Sequence, residues 1–305
     1  MLRLIVSRLL GGVVVLLVVA TVSFFLLRAA PGGPFAAERN LPPAVERNIA
    51  ERYHLDDSLW QQYTSYMGAL VRLDFGHSMK RPKTVGELIR DQVPYSAALG
   101  LSAILFATLF GTMLGALAAA RRNTWADHAL MATALIGISV PSFVLGPVLI
   151  LFLSLHLGWF PPARVEDWTS YVLPALALGM IYTGTIARLA RAGVIESLSQ
   201  DFARTARAKG LSERVVVWKH ALRLGVVPAI TYIGPAMAAL IAGSFVVEKI
   251  FQIPGVGFYF VDSVTSRDYP VLTGLLLFYV AILVVMNLVV DVVHAALDPR
   301  IRETS

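Results

Sequence analysis

The sequence predicts an all-α membrane protein with six transmembrane helices. Three observations carry that reading. Of the 305 residues, 56% are hydrophobic and only 15% are charged, where a soluble domain carries about 25% charged residues. The charge is missing from six long stretches and gathered between them, so the apolar surface must face lipid as well as protein. The connecting segments are by turns rich and poor in Lys and Arg, as expected of a chain that crosses a bilayer repeatedly.

The first span is Leu9–Leu27, 19 residues without a charge, long enough to cross a bilayer. A cleavable signal peptide is the rival reading, because Arg28-Ala29-Ala30 places small residues after the apolar run. The run exceeds the usual signal core of about 7–15 residues, which favours an uncleaved helix. Residues 29–95 form an external segment. Pro42-Pro43 starts a helical pattern in Val45, Ile49 and Tyr53, and Tyr63, Tyr66 and Leu70 continue one. Two short helices are expected there, their aromatic residues packing at the interface.

Five more spans follow within 96–305: Ser96–Ala120, Ala129–Leu157, Tyr171–Ala187, Gly225–Val247 and Pro270–Val290. Gly111, Gly115, Gly137 and Gly243 lie inside them, where small residues let helices approach closely. Pro141, Pro147 and Pro235 are expected to kink their helices. No internal repeat or boundary between independently folding parts is visible, so the chain reads as one transmembrane domain, 1–305.

The basic residues give a direction. Arg3 and Arg8 precede the first span, Arg121 and Arg122 follow the second, and Arg300 and Arg302 lie in the tail. Between Arg188 and Val227 stand eight Lys or Arg against three Asp or Glu. The intervening loops are less basic: one Arg and two acids in Gly158–Ser170, two basic residues and three acids in Glu248–Tyr269. Residues 29–95 carry eight of each sign and are too long to weigh strongly. The consistent solution puts both ends and the loop 188–227 in the cytoplasm.

That loop carries more than topology requires. Ser199 or Asp201 can cap a first helix. Phe202, Ala203 and Ala206 make a small apolar side, and Arg204 and Arg207 share another face. Gly210 can take the left-handed conformation that ends a helix, and Ser212 can cap a second one with Glu213 in its first turn. A loop that merely fixes topology is the alternative. Two capped helices around a Gly elbow instead suit a helix held in a partner's groove.

Other chemistries lack their residues. The net charge of +6 is concentrated in this one loop, which does not suggest nucleic acid. There is no cysteine, no G-x-x-x-x-G-K-[ST] phosphate loop and no H-E-x-x-H, and the six His are scattered. Paired aspartates within spans, as an intramembrane protease needs, are also lacking. A stand-alone channel or secondary transporter has no need of the Gly elbow, and the internal symmetry of many secondary transporters is not visible.

Thr205-Ala206-Arg207-Ala208-Lys209-Gly210-Leu211, followed by His220-Ala221-Leu222 and Pro228, resembles the loop of ABC importer permeases. The general pattern there is Glu-Ala-Ala, three residues, Gly, nine residues, Ile, one residue, Leu-Pro. Arg204-Thr205-Ala206 occupies the Glu-Ala-Ala positions, Gly210 is the Gly, His220 replaces the Ile, Leu222 is kept and Arg223 replaces the Pro. The usual acid is missing, and no role resting on it transfers. These departures are similar to those of the dipeptide/oligopeptide branch. So are MLRLIVSRLL, Tyr53-His54-Leu55, Asp74-Phe75-Gly76, Val140-Pro141-Ser142-Phe143, Ile253-Pro254-Gly255-Val256-Gly257, Arg267-Asp268-Tyr269 and Asp298-Pro299-Arg300-Ile301. The order of these strings on the six-span frame looks most like the B-type permease subunit of an oligopeptide importer.

The resemblance implies a type I ABC importer transmembrane domain with a cytoplasmic coupling helix, in a bacterial inner membrane. It implies a second, related permease subunit, two ATPase subunits carrying ATP and Mg2+, and an external peptide-binding protein, with no cofactor and no catalysis in this chain. Arg204, Thr205, Ala206, Arg207, Ala208, Lys209, Gly210 and Leu211 would couple to the ATPases. A water-facing path needs polar groups on the spans, for which Ser139, Ser142, Tyr182, Thr183, Thr185, Tyr232 and Asn287 are candidates. The other reading of each Ser and Thr is a bond to its own or a neighbouring helix. Nickel, glutathione and oligosaccharide importers of the same branch are the alternatives for cargo. Arg28, Asp291 and His294 lie near span ends, where snorkelling is expected.

Overall fold

A computed structural model describes residues 2–30, 57–241 and 244–297. Among them the architecture is all-helical, apart from an isolated bridge between His77 and Thr84. The first expected external helix, the Tyr53-His54-Leu55 string, Gly243 and the Asp298-Pro299-Arg300-Ile301 end lie outside the described residues.

In chain order the helices are α1 (Leu2–Ala29), α2 (Leu59–Val71), α3 (Val85–Ala120), α4 (Trp125–Ser139) and α5 (Ser142–Leu149), which continues as a π-helix, Ile150–His156. A 3-10 turn, Trp168–Tyr171, leads into α6 (Val172–Leu198). The polar segment holds α7 (Asp201–Ala208) and α8 (Glu213–Val215), then a π-turn, Val216–Ala221, and α9 (Leu222–Gly225). Last come α10 (Val227–Ile241), α11 (Phe245–Ile250), α12 (Val256–Ser266) and α13 (Tyr269–Leu297).

Among the described residues, four helical stretches are long and apolar enough to cross a membrane: Ile5–Ala29, Val85–Ala120, Trp168–Leu198 and Tyr269–Val289. The pair Trp125–Ser139 and Ser142–His156 makes a fifth if its halves are one span, bent by 102°. The bend has a local cause. Val140 is extended, as the residue before a proline prefers, and Pro141 has no N–H to continue the helix. The expected span Gly225–Val247 corresponds to α10, which reaches the limit of the described residues at Ile241.

Two boundaries differ from expectation. α3 begins at Val85, not Ser96, and accommodates Pro94 within the helix. α6 continues eleven residues past Ala187 to Leu198, so just over a quarter of the polar loop 188–227 is an extension of a span. The run of charge does not end the helix, whose backbone hydrogen bonds continue through it.

The described residues fall into two compact units, those within 94–258 and 285–297, and those within 2–93 and 259–284. In the second, α2 is capped by a Ser58–Gln61 capping box. Its Tyr63 and Tyr66 pack on Phe24 and Phe25 of α1, as aromatic packing rather than a cage. Arg28 lies 3.7 Å from the Phe24 ring centre and donates to Gln62 at 2.7 Å, a more specific anchorage than snorkelling. Ser78 Oγ and the Met79 N–H both donate to the buried Asp268, and Arg81 pairs with Asp262.

In the first unit, the core is built on α6. Leu173, Ala177, Leu178, Ile186 and Ala190 are buried against Leu99, Ala103 and Ala107 of α3, with Ala229, Ala236 and Leu240 of α10 and Val247 and Phe251 of α11. Small residues set the spacing. A side chain at Gly111 would strike Ile186, and Gly115 and Gly137 lie against the α6 backbone. The closest approach is Gly193 of α6 on Gly225 of α9, where the two backbones touch.

Candidate coupling and path site

The polar segment folds as a helix, a Gly elbow and a second helix. α7 ends at Ala208 with Lys209 as its C-cap, and Gly210 follows at φ +80°, a conformation that costs any L-residue with a side chain. The Gly210 N–H donates to Arg207 O and the Leu211 N–H to Ala206 O, which close the helix end. The caps differ from expectation. α7 is capped by Gln200 without a side-chain bond, Asp201 instead pairs with Arg204, and Ser212 precedes α8 without a capping bond of its own. The elbow is held by Arg207, whose Nε donates to Glu213 Oε1 at 2.6 Å across the turn and whose Nη1 reaches Leu198 O. The Glu213 carboxylate raises the Arg207 pKa above its ordinary value.

The elbow has an inner and an outer side. Ala203 and Ala206 are buried on Val216, with Leu198 and Phe202 beside them. Arg204, Thr205, Arg207, Ala208, Lys209, Gly210 and Leu211 are exposed. Ala206 is therefore small because its own chain presses on it, while its neighbours present a cationic edge outward. Beyond the elbow, Val217 and Ala221 bury against Ala119 and Val194, so the second helix is fixed to the ends of α3 and α6.

The path candidates lie on α4, α5, α6, α10 and α13. Ser139 and Ser142 flank the break between α4 and α5; Ser139 is exposed and Ser142 half-buried. Ser139 Oγ donates to Leu135 O at 3.0 Å. Thr183 is buried and donates to Gly179 O of its own helix at 2.9 Å, which satisfies it internally. Tyr182 and Tyr232 pack half-buried on the core of α6 and α10. Thr185 is half-buried, and Asn287 is exposed on α13.

Two buried acids were missed by sequence reasoning. Asp127, on the first turn of α4, accepts from Arg191 Nε at 2.7 Å and Nη2 at 2.6 Å, and from the Asn123 N–H at 2.9 Å. Arg191 had been counted with the loop because the span was ended at Ala187; on a helix running to Leu198 it faces α4. Glu248, on α11, is fully buried. It accepts from Ser96 Oγ at 2.8 Å and the Phe258 N–H at 2.9 Å, and Ser96 in turn accepts from the Val256 N–H at 2.9 Å. Burial pushes the Glu248 pKa up, opposed by these hydrogen bonds and one from the Gly257 backbone. The Ile253-Pro254-Gly255-Val256-Gly257 turn is thus wrapped on a carboxylate. An acid at a span end directly before a Gly-rich turn was the available signal. Among the described residues, no three His, Asp or Glu side chains converge as a metal site would need.

Comparison with known proteins agrees with this geometry. Residues 111–303 match the family described as binding-protein-dependent transport system inner membrane component. Residues 1–100 match the N-terminal family of such membrane components. The chain belongs to the binding-protein-dependent transport system inner membrane component family. This permease is 44% identical to the dipeptide transport system permease protein DppB of Bacillus subtilis, over 99% of its own length and 98% of that relative's. It is 41% identical to the oligopeptide transport system permease protein OppB of Haemophilus influenzae and 40% identical to OppB of Escherichia coli, over 99% of this permease and the whole of each relative.

Proposed function

We propose that the chain is the transmembrane permease subunit of an ATP-driven peptide importer in a bacterial inner membrane. The observation that carries this is the elbow: a cationic outer edge, Arg204 to Leu211, on an underside locked to its own spans by Ala203, Ala206 and Val216. A surface fixed from below and charged above suits force received from another chain. The full-length similarity to dipeptide and oligopeptide permeases supports peptide as the cargo over nickel, glutathione or oligosaccharide.

In this reading the whole chain acts as one permease domain of six spans with both ends in the cytoplasm. A second, related permease completes the path. Two ATPase subunits bind ATP and Mg2+ and grip the elbow of each permease, and an external binding protein delivers peptide. Closure of the ATPase pair draws the elbows together and opens the path outward; hydrolysis reverses it. The chain makes and breaks no covalent bond. Ser139, Ser142, Tyr182, Thr185, Tyr232 and Asn287 are the proposed path groups. Thr183 is a weaker one, since it is buried; Ser139 is likewise bonded within its helix but is exposed.

Affinity capture from gently solubilised membranes tests the assembly. Recovery of a second permease, ATPase subunits and a peptide-loaded binding protein is expected. Recovery of a homo-oligomer active without ATP would overturn the importer reading. Gly210→Pro, whose ring forbids the positive φ, is expected to leave the subunit in the membrane while peptide uptake falls at least tenfold. Normal uptake by that variant would remove the elbow from the mechanism.

A further inference from the structure

We propose that Asp127 and Arg191 are positioning residues for coupling: they clamp α4 to the lower end of α6, so that movement of the elbow reaches the broken span. The proposal rests on the importer reading above.

The geometry is that of a fixed joint. Arg191 makes two parallel bonds to Asp127, at 2.7 and 2.6 Å, and the Asn123 N–H holds the same carboxylate from the turn between α3 and α4. Two-point guanidinium–carboxylate contact fixes orientation as well as distance. Asp127 is buried, while the Arg191 side chain keeps 29% exposure. Adhesion alone does not explain such a pair, because apolar packing of similar volume commonly stabilises as well or better. α4 and α6 already adhere through Gly137 against Met180 and Gly184 against Ala134 and Ile138. What the ion pair adds is a register between α4 and α6.

That register lies on the line of force. Arg191 is seven residues from the end of α6, and the elbow begins three residues beyond that end. Asp127 begins the helix that leads, twelve residues later, to Ser139 and the bend at Pro141. A pull on the outer edge of α7 enters α6 through Leu198 and Val216. With the clamp closed, α4 follows α6 and the bend moves. With it open, α6 can turn beneath a stationary α4.

The experiment uses the assembled importer in proteoliposomes and the fact that this chain has no cysteine. Spin labels on introduced cysteines at Thr133 of α4 and Arg188 of α6, both exposed, report the distance between the two helices with and without ATP. Wild type is expected to keep one narrow distance in both states. Asp127→Asn is expected to broaden or shift it when ATP is added, and peptide taken up per ATP hydrolysed falls at least tenfold while stimulated hydrolysis stays within about threefold. The reversed pair, Asp127→Arg with Arg191→Asp, is expected to recover at least a third of the uptake ratio. An unchanged distance and uptake ratio in Asp127→Asn would overturn the clamp. So would uptake and hydrolysis falling together in proportion to the complex assembled, which is the signature of a purely structural pair. Failure of the peptide reading appears elsewhere, as absent peptide uptake by wild type, and leaves the distance measurement to judge the clamp.

Discussion

Asp127 and Glu248 are both buried carboxylates on helices of the same unit, held by opposite means. Asp127 is answered by a guanidinium in two parallel bonds and one backbone N–H. Glu248 is answered by neutral groups alone, the Ser96 hydroxyl and the backbone of Phe258 and Gly257. The first arrangement joins two long helices by matched charge and fixes their register. The second folds a turn around an acid whose pKa burial raises. A charge-matched acid resists removal of its partner; a neutrally cradled acid responds to pH.

Removing the cation should have the largest effect. Arg191→Leu leaves Asp127 buried with a single backbone donor, and a cost of about 3 kcal/mol is expected. Asp127→Leu should cost less, about 1–2 kcal/mol, because Arg191 is partly exposed and can turn to water. Thermal unfolding of the detergent-solubilised complex gives the order, and equal losses would contradict the asymmetry of burial. At the other acid, Glu248→Ala strands a hydroxyl and a backbone N–H inside the turn. A loss of about 2 kcal/mol is expected in the same assay.

The pH response separates the two further. The folded-state pKa of Glu248 lies above its unfolded value, so the folded protein holds the proton to higher pH. Its contribution to stability is complete below the unfolded carboxylate value and is lost as pH rises through the folded one. Thermal midpoints of wild type should therefore decline with rising pH across that window relative to Glu248→Gln. Parallel curves would remove Glu248 as the titrating group. The smallest effect belongs to the exposed pair of the elbow. Arg207→Ala should cost about 0.5 kcal/mol or less, and less still in high salt. A large, salt-independent loss would mean that the elbow depends on that ion pair more than on Gly210 and the Ala203–Ala206–Val216 packing.

The sequence made the broad plan readable because lipid imposes it. Apolar length marked α1, α3 and α13, Pro141 marked the bend, and a glycine between two polar helices marked the elbow. What was hidden lay in three dimensions. The run of charge after Ala187 looked like a loop, although helix continues to Leu198 and carries Arg191 to Asp127. Ala206 read as part of a partner-facing elbow, and only the fold shows that Val216 covers it. Thr183 and Ser139 are the same kind of residue on paper, yet one is buried on its own helix and the other is exposed at a break. The caps of α7 and α8 were misjudged: Gln200 stands at the N-cap of α7, Asp201 pairs with Arg204 instead, and Ser212 precedes α8 without a side-chain bond. Polar residues have several available partners, and tertiary packing selects among them.

The 102° bend has a consequence for the lipid. α4 and the α5–π-helix stretch have 15 residues each, about 22 Å apiece at helical rise. A hydrocarbon layer is about 30 Å thick. Neither limb alone matches it, and a sharp bend prevents the pair from standing upright as one rod. Inclined by half the bend to either side of the membrane normal, the two limbs together rise about 28 Å, and any change in the bend opens a mismatch whose cost grows with each ångström. Membrane thickness thus becomes a variable acting on this span, and acyl-chain length should shift how readily the bend opens and closes.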